Sequence, residues 1–218
     1  MSFQAVVQTS PRSPPTLRTT LFSLALAGWP SPSISSEPGN DCLPSGYSSD
    51  VMLKQAGPWE HFVKILRREI LRDWKYLLVS QDDVRYAFGL RRWLASQKLP
   101  DGIVSLYCCA GSTPENEGWW KLSDDDLPRK AMGALAYVFS RTLAERFVKS
   151  VPKPGHAKID LRVGRWCKEN RIDYWQPNPS LCQHLGHCSA IEPGAQWLDQ
   201  FRYAGDNWIR DMRGQASW

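Results

Sequence analysis

Four runs in this sequence are apolar almost from end to end: "FQAVVQT" (Phe3 to Thr9), "YLLVS" (Tyr76 to Ser80), "IVSLYC" (Ile103 to Cys108) and "GALAYVFS" (Gly133 to Ser140). A strand with one face in water alternates apolar and polar residues, whereas a strand covered on both faces does not. Between these runs lie stretches of helical period. Trp59, Phe62, Leu66, Ile70 and Trp74 recur in steps of three and four, the stripe of one amphipathic helix. Further helices are expected over Thr16–Ala27, Gly89–Gln97, "RTLAERFVKSV" and Val163–Asn170, with short strands near Ser33–Ser36 and Ile172–Trp175. Strands alternating with helices dictate an α/β class: a single-domain layered sheet with helices on both faces. The 218 residues suit one such domain. "GSTPENEGWWKLSDDDLPRK" and the Pro-rich "QPNPSLCQHLG" read as loops, as does most of Ser31 to Ser49.

In sheets of this class the ligand crevice lies at the carboxyl ends of the strands. "YLLVSQDD" delivers Asp82 and Asp83 to that place. Two adjacent carboxylates stay ionised only when a cation or several donors compensate them. A divalent metal is one such cation, and hard oxygen ligands suit Mg or Mn together with substrate phosphates. The bland alternative is that "QDD" turns the chain and caps the next helix. Asp160, at the head of a helix, reads either as an N-cap or as a general base. His184 and His187 read either as structural hydrogen-bonders or as metal ligands.

Composition narrows the classes further. A net charge of +5 is mild, but Trp59 to Lys98 carries nine Lys or Arg against five Asp or Glu. That stretch could face a phosphate-bearing partner, nucleic acid included. The six cysteines show no C-x-x-C pair, which argues against a zinc ribbon and for thiols in a reducing compartment. No apolar run reaches the length of a membrane span, and "TLRTTLFSLALAGW" lacks the basic start of a signal. A cytoplasmic protein of a bacterial or viral host cell is the expectation. Eleven tryptophans exceed what a core this size requires, and Trp119 with Trp120 could stack on a sugar or a base.

Taken in order, these segments resemble the nucleotide-sugar-dependent glycosyltransferases of the GT-A fold. "VVQTSPRSPPTLRTTLFSL" looks like the nucleotide-binding start, "YLLVSQDDV" like the aspartate-rich metal motif, and "GALAYVFSR" like the strand lining the donor sugar. "IDLRVGRW" is similar to the acidic E-D-x-x-x-G motif of inverting members, and "PSLCQHLG" to their closing histidine loop. The resemblance runs from about Phe3 to Ser189. It departs at Gln81, where members often carry an acid, and at Ile159, which leaves Asp160 as the lone candidate base.

The resemblance implies a metal-dependent, inverting transfer from a nucleoside diphosphate sugar, a UDP-sugar with Mn2+ or Mg2+. It implies Thr9, Arg12, Asp82 and Asp83 as donor-binding residues, Asp83 and His184 as metal ligands, and Asp160 as the base. Residues 1–110 would form the donor-binding half and 111–218 the acceptor half, with Trp119 and Trp120 against the acceptor. The acceptor hydroxyl is expected on a saccharide or small molecule, or on a hydroxymethylated base of phage DNA. A nucleotidyltransferase is the alternative enzyme class, although "TSPRSPP" lacks its Gly- and Lys-rich phosphate loop.

Overall fold

A computed structural model gives the architecture of residues 2–108, 116–151 and 158–185, with two short strands at 209–210 and 216–217. The elements run β1 (Phe3–Thr9), α1 (Leu17–Ala27), β2 (Ser33–Ser36), β3 (Ser49–Val51), α2 (Gly57–Glu69), β4 (Tyr76–Gln81), β5 (Val84–Tyr86) and α3 (Leu90–Ser96). They continue as β6 (Ile103–Ser105), β7 (Gly118–Lys121), β8 (Ala136–Ser140), α4 (Arg141–Lys149), α5 (Ile159–Asn170), β9 (Tyr174–Asn178) and β10 (Cys182–His184). The last two strands, β11 (Ile209–Arg210) and β12 (Ala216–Ser217), pair only with each other.

Eight strands form one sheet in the order β3-β2-β1-β4-β8-β6-β9-β7. The expected layers are present. Alternate residues of the central strands face opposite cores: Ala5, Val7 and Leu78 meet α1 and α3, while Val6, Leu77 and Val79 meet α2, α4 and α5. On the second face Phe62, Tyr137, Phe139 and Phe147 pack edge-on around one another, and Trp166 closes on Phe147 at 4.8 Å. Each such ring contributes about 2–3 kcal/mol by leaving water, so this aromatic layer fixes the helices beneath the sheet.

Several sequence expectations shift. The helix through Trp59 ends at Glu69, not Trp74. Its last carbonyls are taken by other donors: the Trp74 indole N–H donates to Glu69 O at 2.7 Å, and Arg141 to Ile70 O at 2.8 Å. Trp74 still returns to the same core, which is why the stripe looked continuous. Two expected loops hold strands. "GWWK" is β7, antiparallel to β9, and "CQH" is β10, antiparallel to β5. The strand expected through Cys108 is regular only over Ile103–Ser105, and β8 starts at Ala136 because Gly133 to Leu135 turn tightly. Helix α5 begins a turn earlier than Val163, at Ile159, and β9 begins two residues and ends three residues later than expected, over Tyr174–Asn178. After Asp83 the chain enters β5 rather than a helix, so the helix-capping alternative for "QDD" fails.

Among the described residues no disulfide forms, and Cys42, Cys108, Cys167 and Cys182 are thiols. Cys109, Cys188 and His187 lie outside the described residues. Within the described residues no helix is long and apolar enough to cross a membrane.

Candidate active site

The parallel pairing of β1 with β4 brings the ends of both strands together. Val7 lies opposite Ser80 and Gln8 opposite Gln81, so Thr9 arrives beside Asp82. The turn between β4 and β5 is then stitched to α1: Thr20 Oγ1 donates to Asp82 O at 2.8 Å and accepts from Val84 N at 3.0 Å. Tyr86 hydroxyl donates to Ser80 Oγ at 2.6 Å, closing the turn from beneath. Backbone ordering of this kind sets both aspartates before any ligand arrives.

Both carboxylates are buried, Asp82 at 1% and Asp83 at 8% exposure. Such groups stay charged only with close partners. Arg12, from the β1–α1 loop, supplies them. Its Nη2 stands 2.7 Å from Asp82 Oδ1 and its Nη1 2.6 Å from Asp83 Oδ2. The Asp82 contact is an ion pair without directional hydrogen-bond geometry; Thr9 Oγ1 donates to the other oxygen of Asp82 at 2.5 Å. Asn40 Nδ2 donates in turn to Thr9 Oγ1 at 3.0 Å.

On the other side, β10 lies antiparallel to β5 with His184 opposite Val84. That register places His184 Nε2 3.2 Å from Asp83 Oδ2, while Leu185 N donates to Asp83 O at 2.7 Å. The two acids therefore part company electrostatically. Burial pushes the Asp82 carboxyl up to about 6 against the pull of Arg12, with the Asp83 charge adding to the rise. Burial opposes ionisation of Asp83 as well, but His184 and Arg12 outweigh it and hold this carboxyl well below the usual range. Burial also works against the Arg12 charge, yet Asp83 and Asp82 keep its pKa above the ordinary value.

Among the described residues no three His, Cys, Asp or Glu side chains converge as a metal-ligand group. Two side chains of suitable chemistry nevertheless stand together. Asp83 Oδ1 is buried with no hydrogen-bond partner, and His184 sits against the same carboxylate. Mg and Mn commonly take one or two protein ligands and fill the shell with phosphate oxygens and water. The residues fit a cation that arrives with a diphosphate.

Asp160 occupies the first turn of α5. Its Oδ1 accepts from Leu161 N at 2.8 Å and its Oδ2 from Gly133 N at 3.0 Å. Gly133 is tied by its carbonyl to Leu135 N, and Leu135 O accepts from Gln81 N at 2.8 Å. Asp160 thus borders the same end of the sheet as Asp82 and Asp83, joined to them through the Gly133–Leu135 turn. Gly164 makes this possible. A Cβ there would come within 2.7 Å of Ala131 Cβ and 3.1 Å of Pro128 Cα, so only glycine lets the preceding loop lie on α5.

Trp119 and Trp120 stand elsewhere. They sit on the edge strand β7, with β8, β6 and β9 between them and β4, or ~19 Å across at the usual strand spacing. Trp119 packs against Trp93 at 6.0 Å between ring centres. Trp120 is the more exposed of the two, and its indole N–H donates to Asn116 O at 2.9 Å. Two members of the basic stretch are engaged within the protein: Arg68 pairs with Asp50 at 2.6 Å and Glu69 at 2.8 Å, and Arg91 donates to Gly28 O at 3.0 Å.

Sequence reading missed Thr20, Asn40 and a buried line at the end of β2. His61 Nε2 lies 3.0 Å from Ser35 Oγ, and its Nδ1 3.5 Å from Glu37 Oε1. All three are buried. Burial, aided by Arg68 and Lys64, pushes His61 down to about 4, leaving it neutral at ordinary pH. Glu37 is instead anchored by Ala56 N, which donates to its Oε2 at 3.1 Å, and its own backbone N–H donates to Thr9 O at 3.0 Å beside the site. Isolated Ser, Asn and His residues carry no periodic signal that would have marked them.

No family model matches the sequence, and neither does any curated protein. Among solved structures, S. aureus TarS 1-349 superposes with a TM-score of 0.53 at 11% identity, covering 81% of this chain and 58% of that one. The same S. aureus protein in complex with UDP-GlcNAc gives 0.52 at 12% identity, with the same coverage. This chain therefore spans 58% of the length of these TarS structures. A CMP:2-keto-3-deoxy-manno-octonic acid synthetase complexed with CTP matches at 0.48 and 9% identity, over 81% of this chain and 89% of that one, too loosely to carry an argument. With the sheet described above, the likeness to TarS gives the chain a GT-A-like fold.

Proposed function

We propose that this GT-A-like chain is a glycosyltransferase that moves a sugar from a nucleoside diphosphate, a UDP-sugar, to an acceptor hydroxyl. The observation that carries the reading is the meeting of Arg12, Asp82, Asp83 and His184 at the end of β4. One of the TarS structures is a complex with UDP-GlcNAc, which agrees with a uridine diphosphate donor.

A divalent Mn2+ or Mg2+ held by Asp83 and His184 would neutralise charge on the departing diphosphate. Every other step belongs to side chains. Arg12 grips phosphate oxygens with its planar fork. Asp82 and Thr9 accept and donate to ribose or donor-sugar hydroxyls. Asp160 takes the acceptor proton while the acceptor oxygen bonds to the anomeric carbon and the carbon–phosphate oxygen bond breaks. Attack opposite the leaving diphosphate inverts the anomeric centre, and proton NMR of the first-formed product tests this. Retention of the donor configuration would refute it.

Residues 1–110 hold most of the donor, and 111–218 supply His184, Asp160 and the acceptor side. The exposed Trp120 and the Trp93–Trp119 pair suit the flat face of a sugar or base, at a distance that demands an extended acceptor. A saccharide is the acceptor favoured here, since Arg68 and Arg91 are engaged within the protein. A hydroxymethylated DNA base is the rival, and a gel shift on duplex DNA at low salt distinguishes the two. The thiols of Cys42 and Cys167 agree with a cytoplasmic location. Nucleotidyl transfer is less favoured because Arg12 is the sole basic residue of the β1–α1 loop. Release of free sugar or its transfer from UDP-sugars, assayed with and without Mn2+, tests the whole reading; release of pyrophosphate from nucleoside triphosphates would support the nucleotidyl alternative instead.

A further inference from the structure

Asp83 Oδ2 already has two partners, Arg12 Nη1 at 2.6 Å and His184 Nε2 at 3.2 Å. A cation bound by either oxygen of this carboxylate would stand near the guanidinium, and two positive charges a few ångströms apart inside a protein repel strongly. Arg12 and a divalent ion therefore compete for one place. Besides Asp82 Oδ1, which is ion-paired to Arg12, two buried atoms of the site are left without hydrogen-bond partners: the donor Arg12 Nε and the acceptor Asp83 Oδ1. Each is complemented if the guanidinium turns to phosphate oxygens and the carboxylate turns to a metal.

We propose that Arg12 is an internal counter-ion that holds the cation's place beside Asp82 and Asp83 and yields it when a nucleoside diphosphate binds. This rests on the function proposed above and specifies its order of assembly. The diphosphate draws Arg12 away from Asp82 and Asp83, because phosphate oxygens offer the fork a bidentate partner of higher charge. Asp83 is then left as an ionised carboxylate beside His184, ready for the metal. Metal and nucleotide consequently bind as a coupled pair: each favours the other through one mobile side chain. Without Arg12 the two buried carboxylates lack their cation, and metal alone would serve.

The test is the affinity for Mn2+ itself, read by the electron paramagnetic resonance of unbound ion, with and without UDP. In the unaltered protein, UDP is expected to tighten Mn2+ binding about tenfold or more. In Arg12→Gln, Mn2+ is expected to bind about tenfold more tightly than in the unaltered protein without UDP, with UDP adding little. Arg12→Lys keeps a charge but cannot span both acids, and should fall between. Should Arg12→Gln fold only with Mn2+ present, its melting temperature must rise with Mn2+ far more steeply than that of the unaltered protein, which supports the same claim. Nucleotide-free Mn2+ affinity that is unchanged or weaker in both variants, while UDP still recruits Mn2+ to the unaltered protein, would overturn the counter-ion role alone. Absence of UDP binding in the unaltered protein would overturn the proposed function with it.

Discussion

His184 Nε2 lies 3.2 Å from Asp83 Oδ2 although 101 positions separate the two residues. The contact follows from backbone pairing: β10 runs antiparallel to β5, and His184 stands opposite Val84, the residue after Asp83. A late segment is thereby sewn to the turn that carries the acids. His184→Ala is expected to weaken Mn2+-dependent UDP binding about tenfold, the order seen for loss of a supporting metal partner, while metal-free UDP binding stays within about twofold. Calorimetric titration with and without Mn2+ separates the two, and equal losses in both would argue against a metal role for His184.

Asp160 is held by two backbone N–H groups, from Gly133 and Leu161. As the base it should govern chemistry more than binding. Asp160→Asn keeps one acceptor oxygen and should lower kcat by about 10²–10⁴. UDP affinity should remain unchanged. A fall in affinity with kcat preserved would reassign Asp160 to holding the Gly133 turn.

The pH dependence of stability isolates Asp82. Its carboxyl is pushed up to about 6 by burial, from an ordinary 3.8. Between those values the folded protein binds more protons than the unfolded chain, so this group's contribution falls as pH rises through the window. Relative to Asp82→Asn, the unaltered protein should lose on the order of 2–3 kcal/mol between about pH 4 and pH 7. His61 titrates near the lower end in both proteins and cancels in the difference. Urea unfolding at several pH values measures it, and a difference that is flat or grows with pH contradicts the assignment.

Gly164→Ala sets two effects against each other. Alanine gains about 1 kcal/mol of helix propensity within α5. Its Cβ, however, meets Ala131 Cβ at 2.7 Å and Pro128 Cβ at 3.2 Å, and overpacking of that kind costs about 1–3 kcal/mol. Net destabilisation of about 1 kcal/mol is expected from thermal or urea unfolding, with a drop in kcat because the displaced loop leads to Gly133 and its bond to Asp160. A stabilised, fully active variant would show that the loop yields freely.

Much of this is legible in the amino-acid sequence itself. β1, β4 and β8 announced themselves because strands buried on both faces are apolar throughout, and Asp82 with Asp83 stood out as charges at the end of such a run. β7 and β10 did not. Three of the four β7 residues are exposed, and the strand is held by its ladder to β9 rather than by a pattern of its own. Trp74 looked helical because the turn after Glu69 returns it to the core that the helix faces. The resemblance singled out Arg12 as an expected nucleotide-binding residue, but nothing in the sequence marked it as the partner of both aspartates, since that contact depends on the β1–β4 register and on a loop whose path no periodicity records.

Calorimetric titration of a UDP-sugar, with and without Mn2+, into the unaltered protein and into Asp83→Asn reaches the central claim most directly. The unaltered protein should bind the donor and bind it more tightly with Mn2+, while Asp83→Asn, still folded, should lose the Mn2+ enhancement. Failure of the unaltered protein to bind any nucleoside diphosphate sugar, or identical Mn2+-enhanced binding by both proteins, would contradict it.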